Sequence, residues 1–147
     1  MHDVSRRAVI GAVGFLAAIG PRAALAAEAR VALGGYDPVA YFTKGRPEKG
    51  AAEFTASFDG STYRFSNAEH RALFVADPDR YAPQFGGFCA INVARGEKYE
   101  ADPEAWAIAD GKLYVFGAKE GVPMFRQQAP GIVAQAGQRW PELRRTQ

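Results

Sequence analysis

The chain has 147 residues, with 18 basic and 16 acidic side chains, a formal net charge of +2 and a hydrophobic fraction of 48%. This length suits a single domain with one sizeable core, and ten Phe, six Tyr and two Trp are enough aromatic residues to pack it. The one cysteine, Cys89, excludes an internal disulfide and a Cys-X-X-Cys dithiol.

Residues 1–26 are predicted to be an export signal. Arg6 and Arg7 precede an apolar run rich in Gly and Ala, and an Ala-Leu-Ala cleavage motif ends at Ala26. The twin arginines favour the twin-arginine route, so residues 27–147 are expected to form a periplasmic or otherwise exported mature chain. Because the apolar run is shorter than the roughly 20 residues that span a bilayer, no stable membrane anchor is expected after cleavage.

Cleavage at this point changes the charge balance. Removing three arginines and one aspartate from 18 basic and 16 acidic residues leaves 15 of each, so the formal net charge falls to zero. Without excess basic charge to neutralise phosphates, the mature chain is not expected to bind nucleic acid. It retains one cysteine (Cys89), one histidine (His70) and one methionine (Met124).

The first predicted elements are a helical turn and a hairpin. The segment GGYDPVAYF, residues 34–42, predicts a short turn of helix that Asp37 caps and Pro38 opens. Residues 43–50 form a polar loop, and residues 54–65 alternate around Asp59-Gly60 as a β-hairpin does.

Helix, hairpin and helix are predicted to follow. Ser66 and Glu69 have capping-box spacing, which opens a helix to about Ala76 with Ala68, Leu73 and Phe74 inward. Gly86-Gly87 then leads into a short apolar stretch, residues 88–93. Residues 105–116 predict a second hairpin around Asp110-Gly111, and residues 122–143 have helical spacing interrupted at Pro130-Gly131. The expected fold is a small single-domain α+β unit.

Three blocks of this sequence resemble one known family. The motifs GYDPVAYF, YRFSNAEHRALFVADPDRYAPQFGGFCA and DPEAWAIADGKLYVF, in this order and spacing, resemble the YHS domain family over about residues 35–116. The resemblance implies a small α+β unit related to cysteine-rich modules of heavy-metal, mercury and copper handling proteins. It implies a binding module rather than an enzyme.

The resemblance implies only part of a metal site in this chain. In the cysteine-rich branch, cysteines follow the Asp-Pro-Val motif and begin the helix after the first hairpin; here those positions hold Ala40, Ser66 and His70. One cysteine and one histidine cannot complete the four ligands of a closed zinc site within one chain. Cys89 and His70, with Met124 as a third candidate, could hold copper(I), and a homodimer could pair two sets for zinc.

Other interpretations of Cys89 and His70 remain open at this point. Cys89 could be a buried small hydrophobe behind the glycine turn, as free cysteines commonly are, in a metal-free structural or protein-interaction domain. His70 could be a helix-surface side chain, and Met124 could pack in the core. A thiol enzyme would need Cys89 near His70 with a third, orienting group such as Asn92, Asp37 or Glu69. A small-ligand pocket could be lined by aromatic and acidic residues of the motifs, namely Tyr36, Asp37, Tyr41, Tyr81 and Phe88.

Overall fold

The computed structural model describes residues 28–146, and the predicted export signal lies outside this range. The first strand, β1 (Arg30–Val31), is followed by a 3₁₀ segment at Ala32–Gly35 and a short helix, α1 (Ala40–Thr43). Then come the hairpin strands β2 (Ala51–Phe58) and β3 (Ser61–Phe65).

The second half continues with helix α2 (Ala68–Ala76), helix α3 (Pro78–Tyr81), a 3₁₀ segment at Gln84–Gly87 and helix α4 (Ala90–Arg95). Strands β4 (Asp102–Ala109) and β5 (Lys112–Phe116) precede the long helix α5 (Gly121–Leu143). The predicted α+β fold class is confirmed.

The strands form two separate small sheets among the described residues. One has the order β1-β3-β2, with β1 parallel and β2 antiparallel to β3, and the other is the antiparallel pair β4-β5. Both predicted hairpins are confirmed, and the residues of both turns, Asp59-Gly60 and Asp110-Gly111, have positive φ. Two consecutive residues at positive φ are what a type I′ hairpin turn requires, which explains why Asp-Gly occurs at both.

The buried apolar residues form three clusters. The largest joins α4, the β4-β5 sheet and α5, and includes Cys89, Tyr114, Phe116 and Phe125. A second lies between the first hairpin and α2–α3, and a third contains Leu33, Tyr41, Leu113 and Val115. The Tyr41 hydroxyl donates to the Pro103 carbonyl at 2.6 Å, which connects α1 to the start of β4.

Helix α2 differs from its prediction at its first turn. It ends at Ala76 as expected, but its N-cap is Asn67, whose side chain accepts from the His70 amide at 2.8 Å. The predicted capping box at Ser66 and Glu69 is therefore wrong. Phe74 is buried as predicted and Leu73 is half-buried, whereas Ala68, predicted to face inward, is exposed.

The tail also differs from its prediction. Helix α5 runs through Pro130 and Pro141, and its departure from helical geometry falls at Gln128, with φ −125° and ψ 18°. A proline removes one backbone donor and crowds the preceding turn, so the kink appears two residues before Pro130. None of the described helices is long and apolar enough to cross a membrane.

Candidate functional site

A buried carboxylate lies at the centre of the first half of the fold. Asp37 is fully buried, and its Oδ1 accepts from the backbone amides of Val39 at 2.8 Å and Ala40 at 3.3 Å. Its Oδ2 accepts from the Ser66 amide at 2.9 Å and the Ser66 hydroxyl at 2.8 Å. Asp37 accepts the hydrogen bonds that a capping residue accepts, but the N-cap of α1 is Val39, two residues later than predicted.

His70 completes this arrangement, which we call the Asp37 network (Asp37, Ser66, His70 and Thr43). His70 Nδ1 lies 2.6 Å from Asp37 Oδ2, and the His70 side chain is 7% exposed. Because a carboxylate only accepts, Nδ1 carries the proton of this bond. The surface position expected for His70 is therefore wrong: α2 turns this side chain inward, toward a partner 33 residues earlier in the chain.

The second ring nitrogen of His70 faces a hydroxyl. Nε2 lies 3.2 Å from Thr43 Oγ1, and Thr43 Oγ1 also lies 3.2 Å from the Val39 carbonyl, to which it donates. The order carboxylate, imidazole, hydroxyl is that of a hydrolase triad. Here, however, the hydroxyl proton is directed to Val39 and the carboxylate already accepts from four other donors, so the network ties α1, the end of β3 and α2 together.

Cys89 is not part of the Asp37 network, and it lines a cavity. Its side chain is 2% exposed, and it belongs to the cluster of α4, β5 and α5. The cavity, which we call the Cys89 pocket, has a volume of about 270 Å³. It is lined by Cys89, Ile91, Asn92, Arg95, Tyr99, Phe116, Gly117, Ala118, Gly121 and Met124.

Glycines make room for this pocket. A Cβ at Gly117 would lie 3.0 Å from Tyr99 Cε1 and 4.0 Å from Cys89 Sγ, and one at Gly121 would lie 3.2 Å from Ile91 Cδ1. The backbone of Cys89 is fixed on both sides, because its amide donates to the Tyr99 carbonyl at 2.8 Å and its carbonyl accepts from the Val93 amide at 3.0 Å. The thiol is therefore held at a defined position in the pocket.

Cys89 and Met124 line the same pocket, whereas Cys89 and His70 do not. Met124 lines the Cys89 pocket and is 40% exposed, so the expectation that it packs in the core is wrong. His70 is absent from the lining of that pocket, and both its ring nitrogens face partners in the Asp37 network. The described residues contain no group of three or more His, Cys, Asp or Glu that could hold a metal ion.

The five residues predicted to line an aromatic pocket are distributed over several parts of the fold. Tyr81 packs in the cluster with α2, Tyr41 and Tyr36 pack with Leu113 and Val115, and Asp37 is buried in its network. Phe88 packs against the α5 cluster and lines a separate cavity with Arg30. The structure therefore does not bring these five side chains to one site.

Two residues that matter to these sites are missed by reasoning from the sequence. Thr43 is predicted to lie in a polar loop, but it is the last residue of α1, the short helix that follows the Asp37 cap. Tyr99 is not among the predicted site residues, although it lies over Gly117 with 56% of its surface exposed. An aromatic residue within a run of charged residues is the only sequence signal for Tyr99.

Burial raises the pKa of three tyrosines. Burial raises the pKa of Tyr41 well above its usual range, with Tyr36 and Asp102 adding to it. It raises the pKa of Tyr63 to about 12 and also raises that of Tyr114. These hydroxyls belong to the packed interior and remain protonated near neutral pH, so none of them is an available base.

Comparison with protein-family models, with curated proteins and with solved structures yields no match for this chain. The fold, the Asp37 network and the Cys89 pocket are therefore known from the structure alone.

Proposed function

We propose that the protein is an exported, non-catalytic binding module of YHS type, and that it holds copper(I) in the Cys89 pocket. The single observation that carries this proposal is that the one cysteine and the one methionine of residues 28–146 line the same cavity. Thiolate and thioether sulfur are the side-chain ligands that select copper(I).

The surroundings of the two sulfur atoms support this proposal. Phe116 and Ile91 add apolar walls to the pocket, and apolar residues around a metal site lower its local dielectric. Binding exchanges the thiol proton of Cys89 for the ion, so one proton is released per copper(I) bound. Zinc is the poorer candidate, because a closed zinc site needs four thiolate or imidazole type ligands.

His70 has a different role in this proposal. Both nitrogens of its ring face partners, Asp37 and Thr43. In this proposal Cys89 with Met124 therefore replaces Cys89 with His70, the metal pair expected from the sequence. The Asp37 network supports the fold that positions the pocket. Export through the twin-arginine route, which carries folded proteins, is part of the same proposal and would deliver the module to the periplasm.

Anaerobic titration of the purified protein against a chromophoric copper(I) chelator tests this assignment. We expect one copper(I) per chain, an affinity at least about 100-fold lower for Cys89→Ser, and one about tenfold lower for Met124→Leu, which are losses of about 2.7 and 1.4 kcal/mol. The matched control is Val133→Leu, a substitution on α5 at a residue that does not line the pocket. Unchanged copper(I) affinity in Cys89→Ser would sink the proposal.

A second candidate is a metal-free structural or protein-interaction domain in which Cys89 only fills space. It is favoured by the 2% exposure of Cys89, since buried free cysteines commonly act as small hydrophobes. In that case the protein takes up no copper(I) against the chelator. Cys89→Ala then costs only the packing energy of one sulfur atom, and neither a homodimer nor a partner depends on metal.

A further inference from the structure

A second cavity is lined by Phe88, the residue that directly precedes Cys89 of the Cys89 pocket. This cavity, which we call the Arg30 pocket, has a volume of about 330 Å³, within the range of small-molecule sites. The residues that give it chemical character are Arg30, Ser61, Phe88, Lys98, Trp140 and Arg144.

Arg30 is fixed in place by three kinds of contact. Its Nε and Nη2 donate to the Glu100 carboxylate at 2.6 and 2.8 Å, and its Nη1 donates to the Gly86 carbonyl at 2.7 Å. The guanidinium carbon lies 3.8 Å from the centroid of the Phe88 ring. A bidentate ion pair and a cation–π contact together hold this charge without a bound ligand, so the site is preorganised.

Two further cations are held less firmly. The Lys98 ammonium lies 5.5 Å from the same Phe88 centroid and donates to the Thr146 carbonyl. Arg144 forms an ion pair with Asp59, and both side chains are more than a third exposed. Exposed pairs of this kind contribute little free energy, so either cation can exchange its present partner for a ligand at small cost.

The charge on the pocket wall is unbalanced. Three cationic side chains line it, and two of them are paired, Arg30 with Glu100 and Arg144 with Asp59, so Lys98 is the one cation of the lining without a carboxylate partner among residues 28–146. Phe88 and Trp140 form an apolar wall, with ring centroids 6.0 Å apart. Ser61, which is 9% exposed, adds a hydroxyl group to the residues lining the pocket.

We infer that the Arg30 pocket binds a small organic anion that carries a carboxylate on a flat apolar ring. Lys98 and Arg144 face the carboxylate, and the ring contacts Trp140. A fully hydrated inorganic ion leaves the aromatic wall unused, and a neutral ring leaves the excess positive charge unpaired. This site uses neither Cys89 nor Met124 and is independent of copper.

Fluorescence of Trp140 provides a direct assay. The chain has two tryptophans, so Trp106→Phe leaves Trp140 as the only one, and Trp106 does not line this pocket. In this background, titration with benzoate at low ionic strength is expected to give a saturable change in emission. Benzyl alcohol, a neutral compound of similar shape, and inorganic phosphate are each expected to bind at least about fivefold more weakly.

Matched substitutions locate the binding. Lys98→Gln and Arg144→Gln are each expected to weaken benzoate binding at least about fivefold. Lys119→Gln and Arg126→Gln remove the same charges at residues that line a different surface cavity. These two control variants are expected to change the affinity for benzoate less than about twofold. No saturable change with benzoate, equal binding of benzyl alcohol or phosphate, or equal effects of the two variant pairs would overturn the inference.

Discussion

Asp37 Oδ2 and His70 Nδ1 lie 2.6 Å apart in the interior, joining residues that are 33 positions apart in the sequence. The same carboxylate accepts from the amides that begin α1 and from both donors of Ser66 just before α2. One side chain therefore fixes the relative positions of two helices and the end of β3. Both ring nitrogens of His70 therefore face partners within the fold, and the Cys89 pocket is the site that we propose for the metal.

Removing the charge of Asp37 should destabilise the protein strongly. Asp37→Asn keeps the shape but replaces an acceptor oxygen by an amide that faces donors, so we expect a loss of about 3–5 kcal/mol in the free energy of unfolding. Urea denaturation followed by circular dichroism measures it. Asp79→Asn, an exposed aspartate in α3, should change stability by no more than about 0.5 kcal/mol. Equal losses in the free energy of unfolding for the two substitutions would contradict the role of Asp37 in holding the two helices and the end of β3 together.

The buried tyrosines predict a loss of stability at alkaline pH. The pKa of Tyr63 is raised to about 12, and that of Tyr41 is raised further, above an unfolded value of 10.0. Above pH 10 the unfolded chain loses these protons first, so it binds fewer protons than the folded chain and stability falls as pH rises. The stabilising contribution is fully present below pH 10 and decreases through the interval up to about pH 12.

Absorbance of tyrosinate measures this directly. In the folded protein, tyrosinate from Tyr41 and Tyr63 should appear only as the protein unfolds. The Tyr63→Phe variant should reduce the slope of stability against pH above pH 10. A titration in which Tyr41 and Tyr63 ionise near pH 10 without unfolding is the result that the structure excludes.

Cys89 should react slowly with bulky thiol reagents in the folded state. Its side chain is 2% exposed, so a disulfide reagent of aromatic type reaches it only through local opening. We expect a rate at least roughly 100-fold lower in buffer than in urea. Because Cys89 is the sole thiol, no other group contributes to the signal. Similar rates in the two solvents would show that the thiol is accessible in the fold.

Two glycines should respond to alanine in opposite directions. A Cβ at Gly50 would lie 2.5 Å from the backbone carbon of Arg64, in the neighbouring strand, so Gly50→Ala should cost about 1–3 kcal/mol. Gly137 lies within α5, and a Cβ at this residue would meet no neighbouring atom within 4 Å, so Gly137→Ala should stabilise by about 1 kcal/mol. Thermal unfolding of the two variants measures both changes in stability. A stabilising Gly50→Ala would contradict the close approach of the two strands.

The local signals in this sequence predict local structure well. Asp59-Gly60 and Asp110-Gly111 place both hairpins, because this dipeptide suits the two positive φ angles of the turn. The apolar stretch at residues 88–93 cannot be assigned to strand or helix by pattern alone, and it contains most of α4. Short apolar runs of this kind have the same composition in either state.

The site residues depend on contacts between distant parts of the chain. Ser66 has the right spacing to Glu69 for a capping box, but its hydroxyl donates to Asp37 and Asn67 caps the helix instead. The burial of His70 follows from the same distant carboxylate, which spacing along α2 cannot reveal. Cys89 and Met124 are both recognisable in the sequence as sulfur ligands, but their meeting in one pocket depends on how α5 packs against α4.

X-ray absorption spectroscopy of the copper(I)-loaded protein is the measurement that tests the central claim most directly. A site built from Cys89 and Met124 predicts a first shell of sulfur without the outer-shell scattering of an imidazole ring, and His70→Gln leaves this spectrum unchanged. Imidazole scattering that disappears in His70→Gln would contradict the account, because it would place the metal at His70.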